Sequence, residues 1–130
     1  MQHALDRQTL GKCGEDAACA ELARRGYAIL ARRYRTRFGE IDIVSRDGDT
    51  IVFVEVKARR TTRRGAAAEQ ISFWKRRRIT AMALDYLSSA RLLDRRCRFD
   101  VVAIDEAGSV RPRVRVIVNA FQPAEWGQWG

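Results

Sequence analysis

Two runs rich in β-branched and aromatic residues, 39–46 and 50–58, flank the dipeptide Asp47-Gly48. Alternating apolar residues on either side of an Asp-Gly pair predict a β-hairpin. No other feature constrains the fold as tightly, because strand side chains alternate between two faces. Glu40, Asp42 and Val44 then share one face of the first strand, and Ile51, Phe53, Glu55 and Lys57 share one face of the second. A two-residue Asp47-Gly48 turn pairs Arg46 with Asp49, sets Asp42 opposite Phe53 and leaves Glu55 one diagonal step away. A slip of two residues keeps the same faces together. Asp42, Glu55 and Lys57 are therefore expected to converge, with Glu40 beside them.

The remaining elements fall around this hairpin. Residues 9–25 read as a helix, capped by Thr9 and stopped by Gly26. Its apolar stripe holds Ala18, Cys19 and Leu22, and Glu15 lies three, four and seven residues before them, on the inward side. Residues 27–34 read as a strand with a basic end. A second helix is expected from about residue 69 to 91, with Ile79, Met82, Ala83, Tyr86 and Leu87 at helical spacing. Residues 97–105 and 114–120 read as two more strands, separated by a turn at Gly108. The order α-β-β-β-α-β-β implies an α/β fold with a mixed five-stranded sheet flanked by helices. We read residues 1–130 as one domain, with a core of about 9–121 and tails at 1–8 and 122–130. Trp74 and Tyr86 read as core residues, whereas Trp126 and Trp129 clasp the domain or dock a partner.

Charge narrows the function. The chain carries 25 Lys plus Arg against 16 Asp plus Glu, a net +9 that is almost all arginine. Arginine suits bidentate phosphate contacts, and a basic domain of this size points to nucleic acid. The clusters at 32–37, 59–64, 75–78 and 111–115 are candidate phosphate contacts. Arg59, Arg60, Arg63 and Arg64 directly follow the third strand, and Lys75 with Gln70 opens the second helix. No apolar run approaches the roughly 20 residues needed to span a bilayer, and the first residues lack a secretory signal's apolar core. A cytoplasmic protein is expected, with no membrane partner. Cys13, Cys19 and Cys97 form no C-x-x-C pair and read as reduced, mostly buried thiols. His3 is the single histidine, which argues against zinc, Ser-His and Cys-His chemistry. Gly11-Lys12 hints at a phosphate loop, but Asp6 and Cys13 stand where that motif needs Gly and Ser or Thr.

Two carboxylates brought together at a partly buried position repel each other and lose hydration. A divalent cation resolves the conflict, and oxygen ligands suit Mg²⁺ or Mn²⁺. Asp42, Glu55 and Glu15 are the candidate metal ligands. Lys57 is placed to orient a water and to offset developing negative charge. Each residue also has a plainer reading: Glu55 and Lys57 as a surface ion pair worth little, Glu15 as the partner of an arginine.

The segments FGEIDIV (38–44), FVEVKAR (53–59), GKCGEDAA (11–18) and RFDVVAI (98–104) resemble the bacterial YraN family. That family is similar in pattern to archaeal Holliday-junction resolvases within the PD-(D/E)xK nuclease superfamily. The resemblance implies a restriction-endonuclease-like αβββαβ core and a metal-dependent endonuclease that hydrolyses DNA, branched DNA included. Asp42 matches the motif aspartate, Glu55 and Lys57 match its E-x-K, and Glu15 matches the resolvases' first-helix glutamate. Ile41 stands where the superfamily's name has proline. By the same analogy a homodimer is expected. The alternative is a catalytically inactive nucleic-acid-binding module of the same fold.

Overall fold

The computed structural model describes residues 7–59, 71–107 and 109–123. Its elements are α1 (Arg7–Arg24), β1 (Ala28–Thr36), β2 (Gly39–Asp47), β3 (Thr50–Ala58), α2 (Phe73–Ser89), β4 (Cys97–Asp105) and β5 (Arg113–Phe121). The strands form one sheet in the order β1-β2-β3-β4-β5, antiparallel except for the parallel pair β3–β4. This is a mixed sheet with a restriction-endonuclease-like core, as expected. No helix among the described residues is long and apolar enough to cross a membrane.

The helices cover opposite faces. On one face, Ala18 and Leu22 of α1 pack on Ile43, Val52, Val54, Val102 and Ile104. On the other, Ile79, Met82, Ala83 and Leu87 of α2 pack on Val44, Ile51, Phe53, Phe99 and Val101. The central strands β3 and β4 are therefore apolar on both sides. Phe53, Phe99 and Phe121 stack across three positions of the sheet, with centroids 5.6 and 5.0 Å apart.

Helix ends follow local chemistry. Among the described residues α1 already runs from Arg7, so Thr9 lies inside the helix rather than at its cap position. Its C-terminus closes as expected at Gly26 (φ +89), where Tyr27 N donates to Leu22 O and Gly26 N to Ala23 O, a Schellman motif. α2 begins at Phe73, because the Ser72 hydroxyl accepts from Lys75 N and caps it there. It ends before Arg91, which takes φ +60. Leu92 N and Arg91 N donate back to Leu87 O and Ser88 O, the same motif with arginine where glycine is usual.

The β2–β3 register differs from the expected one by two residues. Asp47 pairs with Thr50, and Gly48-Asp49 forms the turn, with Gly48 at φ +61. Positive φ at the first turn position alone suits a glycine there. Both registers bury the same apolar residues, so patterning cannot choose between them. The observed one lets Arg98 bond Asp47 at 3.1 Å and brings Asp42 level with Glu55. Two residue expectations are corrected. Trp74 is 74% exposed rather than core, and Cys13 is exposed on α1 rather than buried. Burial does push the Cys97 thiol up to about 12.

Candidate functional site

The site starts from a break in strand alternation. Ile41 and Val44, three residues apart, both face α2, and so do their partners Tyr34 and Ala31 on β1. A regular strand cannot do this. The β1–β2 register shifts between Ile29 and Ala31 and is constant beyond it; the break in facing coincides with Arg33, whose φ is +51, and with Asp42 across from it. The β2–β3 ladder ends beside it, at Ile43 and Val54. There the Asp42 carboxylate takes over as acceptor, bonding Val56 N at 2.7 Å. Asp42, Glu55 and Glu40, with Phe53, Ile79 and Phe121, line a partly open pocket of about 10 Å³. That space admits about one water-sized occupant. Burial pushes the Asp42 carboxyl up to about 6, against the Val56 amide that favours its charge; Glu55 and Glu15 raise it further, and Lys75 opposes them.

Glu15 is 7% exposed, on the inward side of α1 as its spacing implies. Gly14 makes this possible: a Cβ there would lie 2.7 Å from Ala58 Cβ, so only glycine lets α1 approach β3 this closely. The Glu15 carboxylate accepts from Arg32 Nε and Nη2 at 3.2 Å and from Arg33 Nε at 3.2–3.3 Å. Glu15 thus takes the plainer of its two readings in side-chain contacts, and it does not line the cavity. Its charge still reaches Asp42.

Glu55 is paired as well. Its Oε1 accepts from Lys75 Nζ, so the lysine expected to meet phosphate instead reaches back to the cavity wall. Lys57 lies two residues beyond Glu55 on β3, beside Ala103 of β4, and is half-buried. Arg59 continues the β3–β4 pairing, donating to Ile104 O and accepting from Ala107 N. Arg60, Arg63, Arg64 and Gln70 lie outside the described residues. So the structure brings Asp42 and Glu55 to one cavity, leaves Lys57 two residues beyond Glu55 on β3 outside its lining, and pairs Glu15 with Arg32 and Arg33 instead. Among the described residues no three Asp, Glu, His or Cys side chains gather closely enough to hold a metal ion.

Of the three carboxylates that line the cavity, Glu40 is held by Arg35, while burial and like charge oppose the ionisation of Asp42 beside Glu55; oxygen donors of this kind could hold Mg²⁺ or Mn²⁺. Such ions take one or two protein carboxylates and complete their shell with water and phosphate. Lys75 supplies a positive charge beside Glu55 in the meantime. Sequence reasoning missed Lys75 as the partner of Glu55, Arg32 and Arg33 as those of Glu15, and Val56 N as that of Asp42.

The sequence pattern described as "Uncharacterised protein family UPF0102" matches residues 14–104. A UPF0102 protein of Syntrophus aciditrophicus is 48% identical over 117 residues, covering 88% of this chain and 89% of its own. One from Geobacter sulfurreducens is 47% identical over 115 residues, covering 88% and 90%. One from Pseudomonas paraeruginosa is 46% identical over 113 residues, covering 85% and 90%.

Proposed function

The chain belongs to the family UPF0102, the family of the YraN proteins, and from that footing we propose that it is a metal-dependent endonuclease acting on DNA. The observation that carries the reading is the pair Asp42 and Glu55 on one cavity at the end of the β2–β3 ladder. A chain built only to bind a polyanion has no use for clustered acids there. Asp42 and Glu55 would hold Mg²⁺ or Mn²⁺, which supplies polarisation of a phosphate oxygen and a lowered pKa for an attacking water. The Val56 amide fixes the Asp42 carboxylate by one of its oxygens and leaves the other for the cavity. Lys57 offsets the charge that grows on the phosphate. Lys75, once Glu55 has another cation, is free to meet a phosphate oxygen. Arg59 and the arginines 60, 63 and 64 that follow it in the sequence would contact the DNA backbone.

The test is cleavage of branched and single-stranded DNA in Mg²⁺ or Mn²⁺, with Asp42→Asn and Lys57→Met as paired controls. Loss of cleavage in both, with folding intact, is the expected result. Absence of cleavage by the parent protein across substrates and metals sinks the proposal. A binding module without catalysis is the second reading. One observation favours it: Glu15 and Glu55 are each occupied by cations of the chain itself. Binding without cleavage, unchanged by Asp42→Ala, identifies that case. Its salt dependence should then show a log-log slope of about −4 to −5 for five phosphate contacts.

A further inference from the structure

The start of α2 and the β1–β2 turn display exposed aromatic rings outside the two hydrophobic cores. Phe73 and Trp74 at the start of α2 are 54% and 74% exposed and meet edge to face at 5.3 Å. The Arg77 guanidinium lies 5.7 Å over the Phe73 ring. Arg78, one helical turn after Trp74, approaches the β1–β2 turn at Gly39. That turn presents Phe38, 40% exposed, with Arg37 4.9 Å over its ring. Exposed rings with guanidinium groups over them thus stand at the start of α2 and on the β1–β2 turn, and Arg78 links the two segments. Trp74 is also the immediate neighbour of Lys75, whose ammonium holds Glu55 at the cavity.

We propose that Phe73, Trp74 and Phe38, together with Arg37, Arg77 and Arg78, form a stacking platform for the unpaired bases of a single-stranded nucleic acid. The chemistry selects that occupant. The run Lys75-Arg76-Arg77-Arg78 with no acid in the first turn of α2 favours a polyanion. A duplex offers phosphates to the arginines but hides its base faces from the rings. An unpaired strand offers both, and stacking on exposed aromatic rings flanked by cations is how such strands are held without sequence preference. The inference rests on the nuclease reading only for what the strand meets next, the Asp42–Glu55 cavity. Binding itself needs no metal.

The test measures binding by fluorescence anisotropy in EDTA, so that cleavage plays no part. The probes are labelled oligo-dT, oligo-rU and a blunt duplex of equal length. Trp74→Ala should weaken oligo-dT binding about tenfold or more. Trp74→Phe, which keeps a ring, should stay within about threefold, and the duplex should be affected little by either. Equal oligo-rU and oligo-dT responses mean that the platform reads bases irrespective of sugar. Trp74 is exposed, so matched urea midpoints check that folding is unaffected. No change in oligo-dT affinity, an equal loss on duplex, or no binding by the parent protein overturns the proposal. Trp74-dependent binding with no cleavage in Mg²⁺ or Mn²⁺ leaves the platform standing and removes the nuclease. Cleavage indifferent to Trp74 in binding does the reverse.

Discussion

Asp42→Asn should make this protein more stable at neutral pH, although it removes a residue that holds the site together. Burial and the neighbouring carboxylates raise the Asp42 carboxyl from 3.8 to about 6. In that window the folded state keeps a proton that the unfolded chain has released, so stability falls as pH rises from 3.8 to 6 and then levels off. At 1.36 kcal/mol per pH unit the ionised carboxylate costs the fold up to about 3 kcal/mol above pH 6. Asparagine keeps an oxygen for Val56 N and carries no charge. The expected gain for Asp42→Asn is thus about 3 kcal/mol at pH 8, shrinking to near zero at pH 3.5. With an m-value of about 1.5 kcal/mol/M, the urea midpoint should rise by about 2 M at pH 8. The measurement is a series of urea titrations from pH 3.5 to 8.5 in EDTA. Repeating them with Mg²⁺ adds the second half of the argument. At 100 times its dissociation constant a ligand stabilises by about 2.7 kcal/mol, enough to offset most of the penalty in the parent and absent in Asp42→Asn. An asparagine variant that is less stable at pH 8, or that differs from the parent by the same amount at every pH, refutes the reasoning.

Gly14→Ala places a methyl 2.7 Å from Ala58 Cβ and should cost about 1–3 kcal/mol in urea unfolding, recovered in part by Ala58→Gly in the same chain. Arg91→Gly relieves a left-handed arginine in the α2 Schellman motif and should add about 1 kcal/mol, read as a higher melting temperature. Phe53→Ala empties the middle of the phenylalanine stack and should cost about 3–5 kcal/mol, which circular dichroism melts would register. Lys75→Met leaves Glu55 without its cation. Mn²⁺ titration by calorimetry should then show tighter binding than in the parent, and weaker binding contradicts the assignment of Glu55 as a ligand.

Periodicity made some of this legible and left the rest hidden for identifiable reasons. The faces of β2 and β3 follow from alternation, and the inward side of Glu15 from its spacing to Leu22. The hairpin register does not, because two registers two residues apart bury the same side chains. Trp74 was readable after all. Carrying the α2 stripe of Ile79, Met82 and Ala83 back one turn lands on Lys75 and Arg76, not on Trp74. The same extrapolation turns Lys75 inward, toward a Glu55 that sits 20 positions earlier in the chain. The kink at Arg33 had no local signal, since arginine in the left-handed region is set by tertiary contacts and not by its own preference.

That kink is also the strongest reason to treat the region as a working site. Arg33 adopts a backbone conformation that costs an L-residue about 1–2 kcal/mol. Opposite it, a carboxylate is held in surroundings that oppose its charge. Burial of Ile41 and Val44 on one face accounts for the break in alternation, but not for an ionisable residue at position 42, where an apolar side chain would avoid the cost of a buried charge. What the kink accomplishes is specific. It frees Asp42 from the alternation that would send it to one face or the other, and it turns the carboxylate onto Val56 N at the open end of the ladder. It also lets Arg33 reach Glu15, so that the α1 glutamate is anchored on the same irregularity that aims Asp42. Strain retained where structure alone gives no reason for it points to function. Under the proposed function, a cation between Asp42 and Glu55 is what the strain would be kept for.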